Sequence, residues 1–196
     1  MRADLKLIAD LVQPKTRLLD LGCGDGALLA HLKETKEVTG YGLDVDPNNI
    51  EKCLTKGVNV IEYDLNRGLS SFPSDNFEIV VMTETLQSVR APHQLLLDML
   101  RIGEECIVSF PNFGNWRCRL QLSFGTMPVS EHLPNNWFNT PNIHLCTCAD
   151  FEKLCRDLKI KVLERKYVNS QHEKNVSIPL APNLLSAFAF YRLGRV

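Results

Sequence analysis

The chain has 196 residues and a formal net charge of -1 at pH 7, and 44% of its residues are hydrophobic while 23% are charged. This length suits one domain over residues 1–196 with its own core. The near-neutral charge provides no electrostatic attraction to nucleic acid or to an anionic membrane, so we expect a small-molecule or protein partner instead. The sequence shows neither a secretion signal pattern nor an apolar run of roughly 18 residues, and we expect a cytoplasmic protein.

The seven cysteines are odd in number and scattered along the chain. Cys146 and Cys148 form a CxC pair, but a second closely spaced pair is missing, and His144 does not complete a zinc site. A free cysteine commonly behaves as a small buried hydrophobe. The pattern therefore favours reduced, structural thiols, and we predict neither a metal site nor a disulfide framework.

Short apolar runs alternate with amphipathic helical patterns, which predicts an α/β fold with a parallel sheet covered by helices on both faces. The periodicity predicts helices over residues 5–12, 26–34, 47–57, 92–103 and 148–159. It predicts strands over residues 17–22, 38–45, 58–65, 77–85, 104–112 and 160–168. Residues 183–193 fit a final strand or a helix.

The regular alternation lapses between residues 112 and 145, in a segment rich in Asn, Pro and aromatic residues that we call the insert. Such a long insert in a compact domain is usually a lid or a binding surface. Its aromatic side chains either pack the insert onto the sheet or offer anchors to a partner protein, where Trp and Arg are enriched. The residues concerned are Phe113, Trp116, Trp137 and Phe138, with Arg117 and Arg119 beside Trp116.

Three glycines follow the first predicted strand in the stretch LLDLGCGDGALLAHL, residues 18–32. Gly22, Gly24 and Gly26 form a turn whose backbone can approach a ligand closely, and the next helix directs its free N–H groups into the same space. Dinucleotide enzymes use GxGxxG, whereas this chain has GxGxG preceded by Asp20. A carboxylate there would repel a pyrophosphate, but it could position the cationic amino-acid end of a ligand.

Two more acidic residues stand at the ends of neighbouring predicted strands. Asp44 follows the glycine turn by roughly 20 residues, where an acidic residue can accept hydrogen bonds from both ribose hydroxyls. Asp64 ends the third strand and could accept from the exocyclic amine of an adenine. Taken singly, each carboxylate also fits a helix N-cap or a solvated loop charge. Together, at the ends of adjacent strands, they favour adenosine binding.

These residues resemble the S-adenosylmethionine-binding motifs of class I methyltransferases over residues 15–110. More narrowly, LDLGCGDGALL, YGLDVD, TLQ at 85–87 and SFPNFGNW at 109–116 are similar to the MetW family of methionine biosynthesis over nearly the whole chain. The resemblance implies a Rossmann-like, seven-stranded, mostly parallel sheet in which the last strand lies antiparallel between strands 5 and 6. It also implies S-adenosylmethionine as the cofactor and homoserine O-acyltransferase as a partner.

Methyl transfer from a sulfonium is an in-line displacement that depends on alignment more than on acid–base groups. After strand 4 the chain reads Glu84–Thr85–Leu86–Gln87, without an Asn-Pro-Pro-Tyr type of motif. After strand 5 it reads Phe110–Pro111–Asn112, without a Pro-Cys nucleophile. These differences disfavour methylation of amides, of adenine N6 and of cytosine C5.

Three weak catalytic candidates remain: Gln87, Asn112 and His144. Gln87 fits the ligand edge and a structural hydrogen bond equally well, while His144 has a suitable ordinary pKa for a base but is more often structural in such a setting. Two functions stay open at this point. The chain is either a MetW-like protein that binds S-adenosylmethionine and acts with the acyltransferase, or a small-molecule methyltransferase of unknown acceptor.

Overall fold

The computed structural model describes residues 3–171, 173 and 178–196 of the chain. Its strands are β1 (Arg17–Leu21), β2 (Thr39–Asp44), β3 (Val60–Glu62), β4 (Phe77–Thr83), β5 (Gly103–Pro111), β6 (Lys161–Val168) and β7 (Phe188–Gly194). Its helices are α1 (Ala3–Ala9), α2 (Ala27–Lys36), α3 (Pro47–Thr55), α4 (Pro92–Ile102), α5 (Trp116–Ser123), α6 (Cys148–Asp157) and α7 (Pro182–Leu185). Short 3₁₀ turns cover Leu65–Arg67, Leu86–Ser88 and Ile178–Leu180.

The seven strands form one sheet in the order β3-β2-β1-β4-β5-β7-β6. The pairs from β3 to β5 are parallel, whereas β7 runs antiparallel to both β5 and β6. This confirms the predicted seven-stranded, mostly parallel sheet with an antiparallel C-terminal hairpin. The helices that follow β1 and β4 pack on opposite faces of the sheet, so the ends of these two adjacent strands form the switch point where ligands bind in open α/β sheets.

Helices cover both faces of the sheet, and each face has its own apolar core. Buried side chains of α4 and α6 pack on one face, among them Leu96 and Phe151. Side chains of α1, α2 and α3 pack on the other, among them Ile8 and Leu32. From Ile79 to Met82 the side chains of β4 alternate between the two cores, which explains why this part of the strand is apolar throughout.

Local sequence signals begin the helices that flank the sheet. Asp46 caps α3 by accepting a hydrogen bond from the Asn48 amide at 2.9 Å, and Pro47 occupies the first turn. Thr147 caps α6, where its hydroxyl accepts a hydrogen bond from the Asp150 amide at 3.1 Å. These caps place the starts of both helices at the edge where the parallel strands end.

Two predicted elements differ from the structure, and one helix of the structure was not predicted. The third strand is only Val60–Glu62 rather than 58–65, because Asp64 caps a 3₁₀ turn that ends the extended backbone. Residues 183–193 divide into the end of α7 and most of β7, so they are neither one helix nor one strand. The insert contains α5, which begins at an Asn115 cap and which apolar periodicity did not indicate.

Candidate functional site

The glycine turn lies directly after β1 and continues its pairing with β2, because the amides of Gly22 and Cys23 both donate to the carbonyl of Leu43. Gly22 has a φ of +73°, and a Cβ there would lie 2.5 Å from the Thr85 hydroxyl oxygen. A Cβ on Gly24, at a φ of +56°, would instead meet open space. The turn is therefore packed tightly on one side and open on the other, as a ligand-binding turn requires.

Asp44, at the end of β2, holds the turn in place. Its Oδ2 accepts a hydrogen bond from the Gly24 amide at 2.8 Å, and its Oδ1 accepts one from the Asp46 amide at 2.9 Å. The Asn49 side chain adds a longer bond of 3.3 Å to Oδ1. The predicted ribose-binding carboxylate thus also has a structural role, which joins β2 to the glycine turn across 20 residues of sequence.

Asp20, near the end of β1, is buried next to Asp44. Burial, and secondarily the charge of Asp44, raises the pKa of the Asp20 carboxyl to about 7. Its Oδ1 atom is buried without a hydrogen-bond partner. A buried carboxyl oxygen without a partner costs free energy, and a donor supplied by a ligand would remove that cost.

In the described part of the chain, two further side-chain oxygens are buried without a partner, Thr83 Oγ1 and Gln87 Oε1. Thr83 ends β4, which pairs directly with β1, and Gln87 lies in the 3₁₀ turn that follows β4. All three unpartnered atoms therefore belong to the carboxyl ends of β1 and β4 or to the turn just beyond. Sequence reasoning missed Thr83, although its position as the last residue of β4 could have indicated it.

Two cavities flank the glycine turn. The first, of about 790 Å³, is lined by residues that include Asp20, Thr83 and Glu84, and we call it the β1/β4 cavity. The second, of about 340 Å³, lies over the ends of β2 and β3 and is lined by residues that include Asp44 and Asp64. We call it the nucleoside cavity, after the ligand that the sequence predicts for it. Gly22, Gly24 and Asn49 line both cavities. A ligand could therefore extend along the turn from one cavity into the other.

Asp64 lines the nucleoside cavity beside Asn66. Its Oδ1 accepts hydrogen bonds from the Asn66 amide and side chain, both at 2.9 Å. The Asn66 amide, and next the Asn66 side chain, lower the pKa of the Asp64 carboxyl. This N-cap function was one of the interpretations open to a single carboxylate, and it is compatible with a place in the cavity wall.

The structure brings the six predicted cofactor residues to this edge, although Gly26 lies behind the cavities as the N-cap of α2. A Cβ on Gly26 would lie 2.8 Å from the sulfur of Cys53, which is buried. Gly26 therefore permits close packing of α2 against α3 rather than a direct approach to a ligand. Asp20, Gly22, Gly24, Asp44 and Asp64 line the cavities.

The three catalytic candidates occupy different environments. Gln87 is buried, and its side-chain amide donates to the carbonyl of Glu84 at 2.8 Å. His144 lies on the surface, with its ring Nε2 3.3 Å from the carbonyl oxygen of Arg90. Neither residue contributes to the walls of the two cavities, and their catalytic roles stay predictions.

Asn112 is fully buried at the end of β5. Its side-chain amide donates to the hydroxyl and the carbonyl of Ser186, while its Oδ1 accepts from the amides of Gly114 and Cys148. These bonds tie the end of β5 to the start of α6 and to the segment before β7. The geometry favours a structural role for Asn112. Its catalytic role stays a prediction, because Asn112 lines neither the β1/β4 cavity nor the nucleoside cavity.

Apolar side chains are exposed along the insert. Trp137 and Phe138 are 73% and 70% exposed and contact each other edge to face, with ring centroids 5.8 Å apart. Other exposed apolar residues of the insert are Trp116, Leu120, Leu122, Phe124, Met127, Val129, Ile143 and Leu145. Of the two interpretations of the aromatic residues, exposure favours partner anchors for Trp137 and Phe138.

A buried Cys118–His132 pair lies beneath this surface, with 3.8 Å between Sγ and Nε2 and with the Ser130 hydroxyl 3.2 Å from Nδ1. Burial, and secondarily the charge of Arg117, lowers the pKa of His132 to about 4, while burial raises the pKa of the Cys118 thiol. Both groups are neutral near pH 7. The pair therefore lacks the thiolate that a nucleophilic cysteine requires.

Within residues 3–171, 173 and 178–196, the seven cysteines are free, and a cluster of three or more metal-binding side chains is not found. Over the same residues, each helix is too short or too polar to cross a membrane.

A family model described as "Methionine biosynthesis protein MetW" matches residues 2–193. The chain belongs to the MetW family. A curated relative, the "Bifunctional methionine biosynthesis protein MetXA/MetW" of Rhodopirellula baltica, is 32% identical over 208 residues. The alignment covers 100% of this chain and 33% of the relative, so the chain spans about a third of the relative's length.

Solved structures show the same class I methyltransferase fold as this MetW-family chain. An S-adenosylmethionine-dependent methyltransferase from Mesorhizobium loti matches with a TM-score of 0.72 and 16% identity, and the match covers 98% of each chain. One from Archaeoglobus fulgidus matches with a TM-score of 0.71 and 14% identity, covering 98% of this chain and 92% of that chain. At these identities the likeness concerns the fold.

Proposed function

We propose that the chain is an S-adenosylmethionine-binding MetW protein of methionine biosynthesis that acts with homoserine O-acyltransferase. The observation that carries this proposal is the pair of buried, unpartnered oxygens of Asp20 and Thr83 at the β1/β4 cavity, with acidic residues at the adjoining nucleoside cavity. A zwitterionic nucleoside sulfonium supplies donors for that set, with an ammonium group at one end and ribose hydroxyls and an adenine amine at the other.

The residues fit this ligand in a definite order along the glycine turn. Asp20, with its unpartnered Oδ1, would accept from the ammonium group in the β1/β4 cavity. Asp44 would accept from ribose hydroxyls in the nucleoside cavity, and Asp64 from the adenine amine. Gly24 presents open space rather than a side chain between them. When bound, the group supplies an electrophilic methyl on sulfur.

Support for the acyltransferase partner comes from the Rhodopirellula baltica relative, whose name combines MetXA and MetW and of which this chain matches 33%. A fused arrangement keeps two activities at a high effective concentration, which is useful when they act together. The exposed aromatic side chains of the insert are suitable anchors for such a partner. We assign the insert, residues 112–145 of a single domain, to this contact and place the function in the cytoplasm.

The first experiment is calorimetric titration of the purified chain with S-adenosylmethionine and with S-adenosylhomocysteine. We expect saturable binding of both, and we expect Asp44→Ala to weaken it by about 1 to 3 kcal/mol, the value of a hydrogen bond to a charged group. Asp157→Ala, which removes an exposed carboxylate on α6, is the matched control. Absence of binding to the wild-type chain would overturn the proposal.

Asp44 also anchors Gly24, so its substitution requires a measurement of folding. Urea unfolding of Asp44→Ala and Asp44→Asn reports the loss of the anchor separately from the loss of ligand affinity. The asparagine keeps one acceptor oxygen and removes the charge. If both variants unfold like the wild type but bind the ligand more weakly, the effect is due to the carboxylate's contact with the ligand.

The alternative function, a small-molecule methyltransferase, uses the same residues because methyl transfer depends mainly on alignment. The two functions differ in turnover. Incubation with S-adenosylmethionine and candidate acceptors would produce S-adenosylhomocysteine only if the chain is an enzyme. In the proposed function, the measured change is instead in the activity of the acyltransferase, with and without the chain and its ligand.

A further inference from the structure

The turn Leu86–Ser88 lies between the nucleoside cavity and the insert. On one side, Thr85, Ser88 and Val89 line the nucleoside cavity. On the other side, the main-chain carbonyl of Gln87 accepts hydrogen bonds from the amides of Ile143 at 2.9 Å and His144 at 3.0 Å. The hydrogen bonds of two amides of the insert thus depend on the position of one carbonyl oxygen.

Two side-chain contacts extend this junction. The Ser88 hydroxyl donates to Asn142 Oδ1 at 3.4 Å, and the His144 ring lies 3.3 Å from the Arg90 carbonyl oxygen. Leu86 and Gln87 are buried, so the turn itself is packed into the molecule. Residues 142–144 are therefore attached at several points to the segment that forms one wall of the nucleoside cavity.

Part of the same segment lines a third cavity, of about 160 Å³, within the insert. Asn142, Ile143 and Leu145 line it together with Phe113 and Trp137. The segment 142–145, which we call the linking segment, therefore contacts the wall of the nucleoside cavity, and three of its four residues line the insert cavity. It is the direct physical connection between a polar ligand site and an exposed apolar surface.

We propose that the linking segment couples the nucleoside cavity to the insert, so that a ligand in the cavity determines how firmly the apolar surface of the insert is held. This inference rests on the proposed function, because it assumes that the cavity binds S-adenosylmethionine or its product. A ligand that contacts Thr85, Ser88 or Val89 restricts the motion of the turn. Restricting the turn stabilises the two hydrogen bonds to the Gln87 carbonyl, which must break before the linking segment can open.

Coupling of this kind is reciprocal. If the ligand orders the linking segment, then a partner that binds the ordered insert increases the affinity for the ligand by the same factor. The affinity of the partner for the insert would thereby depend on whether a ligand occupies the nucleoside cavity. The mechanism requires no movement of the sheet, because the junction involves only the turn after β4 and residues 142–145.

The test is amide hydrogen exchange of the full chain with and without saturating S-adenosylhomocysteine. We expect exchange of the Ile143 and His144 amides to slow by roughly 5-fold or more, the lower end of typical coupling. The amides of Phe124 and Thr126 are the internal control, because they lie in the insert but bond to Gln121 at the end of α5. Their exchange should not change.

Unchanged exchange at Ile143 and His144, with ligand binding confirmed by calorimetry, would overturn the coupling and leave the proposed function intact. Absence of binding by calorimetry would overturn both. A variant pair makes the assignment specific: Asn142→Ala removes the contact with Ser88, whereas Asn139→Ala removes an exposed side chain of the same type nearby. Only Asn142→Ala should reduce the ligand-induced protection, and equal protection in both variants would contradict a role for that contact.

Discussion

Two regions of the molecule depart from ordinary burial in opposite directions: the insert, and the ends of β1 and β4 beside the glycine turn, which we call the ligand edge. At the ligand edge, carboxylates and hydroxyls are buried, and some of their oxygens are without partners. In the insert, large apolar side chains are exposed, while buried polar groups such as His132 are paired. Both departures cost free energy in the isolated chain. This difference supports the proposal that the two regions bind different partners, a polar small molecule and an apolar protein surface.

The largest effect at the ligand edge is expected for Gly22→Ala. The new Cβ would have to fit 2.5 Å from the Thr85 hydroxyl at a φ of +73°. We expect a loss of about 2 to 4 kcal/mol of unfolding free energy, from strain and from the steric clash together. S-adenosylhomocysteine binding should be abolished, and urea unfolding with calorimetry measures both effects.

Gly57→Ala is the matched control for this substitution. Gly57 has a similar φ of +66°, but a Cβ there would meet open space. The control should lose only about 1 to 2 kcal/mol and keep its ligand affinity. Equal losses in the two variants would show that the packing of Thr85 against the turn is unimportant.

Asp20→Asn should separate stability from binding. The pKa of Asp20 is raised from 3.8 to about 7 on folding, so its contribution to stability is fully present below pH 4 and is lost as the pH rises through 7. At pH 8 the asparagine variant should therefore be more stable than the wild type, by at most roughly 4 kcal/mol. At pH 4 the two proteins should have similar unfolding free energies.

The same titration predicts that ligand affinity depends on pH. An ammonium group prefers the ionised Asp20, so the affinity for S-adenosylhomocysteine should rise between pH 6 and pH 8 in the wild type. Asp20→Asn should bind more weakly at pH 8 and lose this pH dependence. A wild-type affinity that is constant over this range would contradict the assignment of Asp20 to the ammonium group.

Thr83→Val is expected to have a smaller effect. It replaces a buried hydroxyl that has no partner with a methyl group of similar size. We expect a gain of about 1 kcal/mol in unfolding free energy, because the unpaired oxygen is removed. Lower stability in urea would mean that the hydroxyl is satisfied in the folded chain.

The smallest effect on stability is expected for the double substitution Trp137→Ala and Phe138→Ala. Both side chains are largely exposed, so the unfolding free energy should change by no more than roughly 0.5 kcal/mol. Binding to homoserine O-acyltransferase should nevertheless weaken by about 2 kcal/mol or more, as for interface anchors. Leu54→Ala, which truncates an exposed apolar side chain on α3, is the control. Unchanged partner binding in the double variant would show that Trp137 and Phe138 do not belong to the interface.

The sequence predicted the order and type of most elements, because apolar periodicity records which side chains face the core. β4 was predicted from its nearly continuous apolar run, and α3 from Pro47 at its start and Gly57 after its end. Placing Asp20, Asp44 and Asp64 near the ends of adjacent parallel strands followed from the same periodicity. The antiparallel position of β7 followed from the family resemblance rather than from its residues.

The sequence by itself determined the layered α/β fold and the acidic residues around the glycine turn. Both follow from apolar periodicity and from the fact that the carboxyl ends of parallel strands lie at the same edge of a sheet. Only the tertiary structure decided that Asp44 anchors Gly24, that Asn112 joins β5 to Ser186, and that the Gln87 carbonyl holds residues 143 and 144. These are hydrogen bonds between groups far apart in the chain. Whether a donor and an acceptor form a hydrogen bond depends on their distance and direction in the folded molecule, which periodicity along the sequence does not determine.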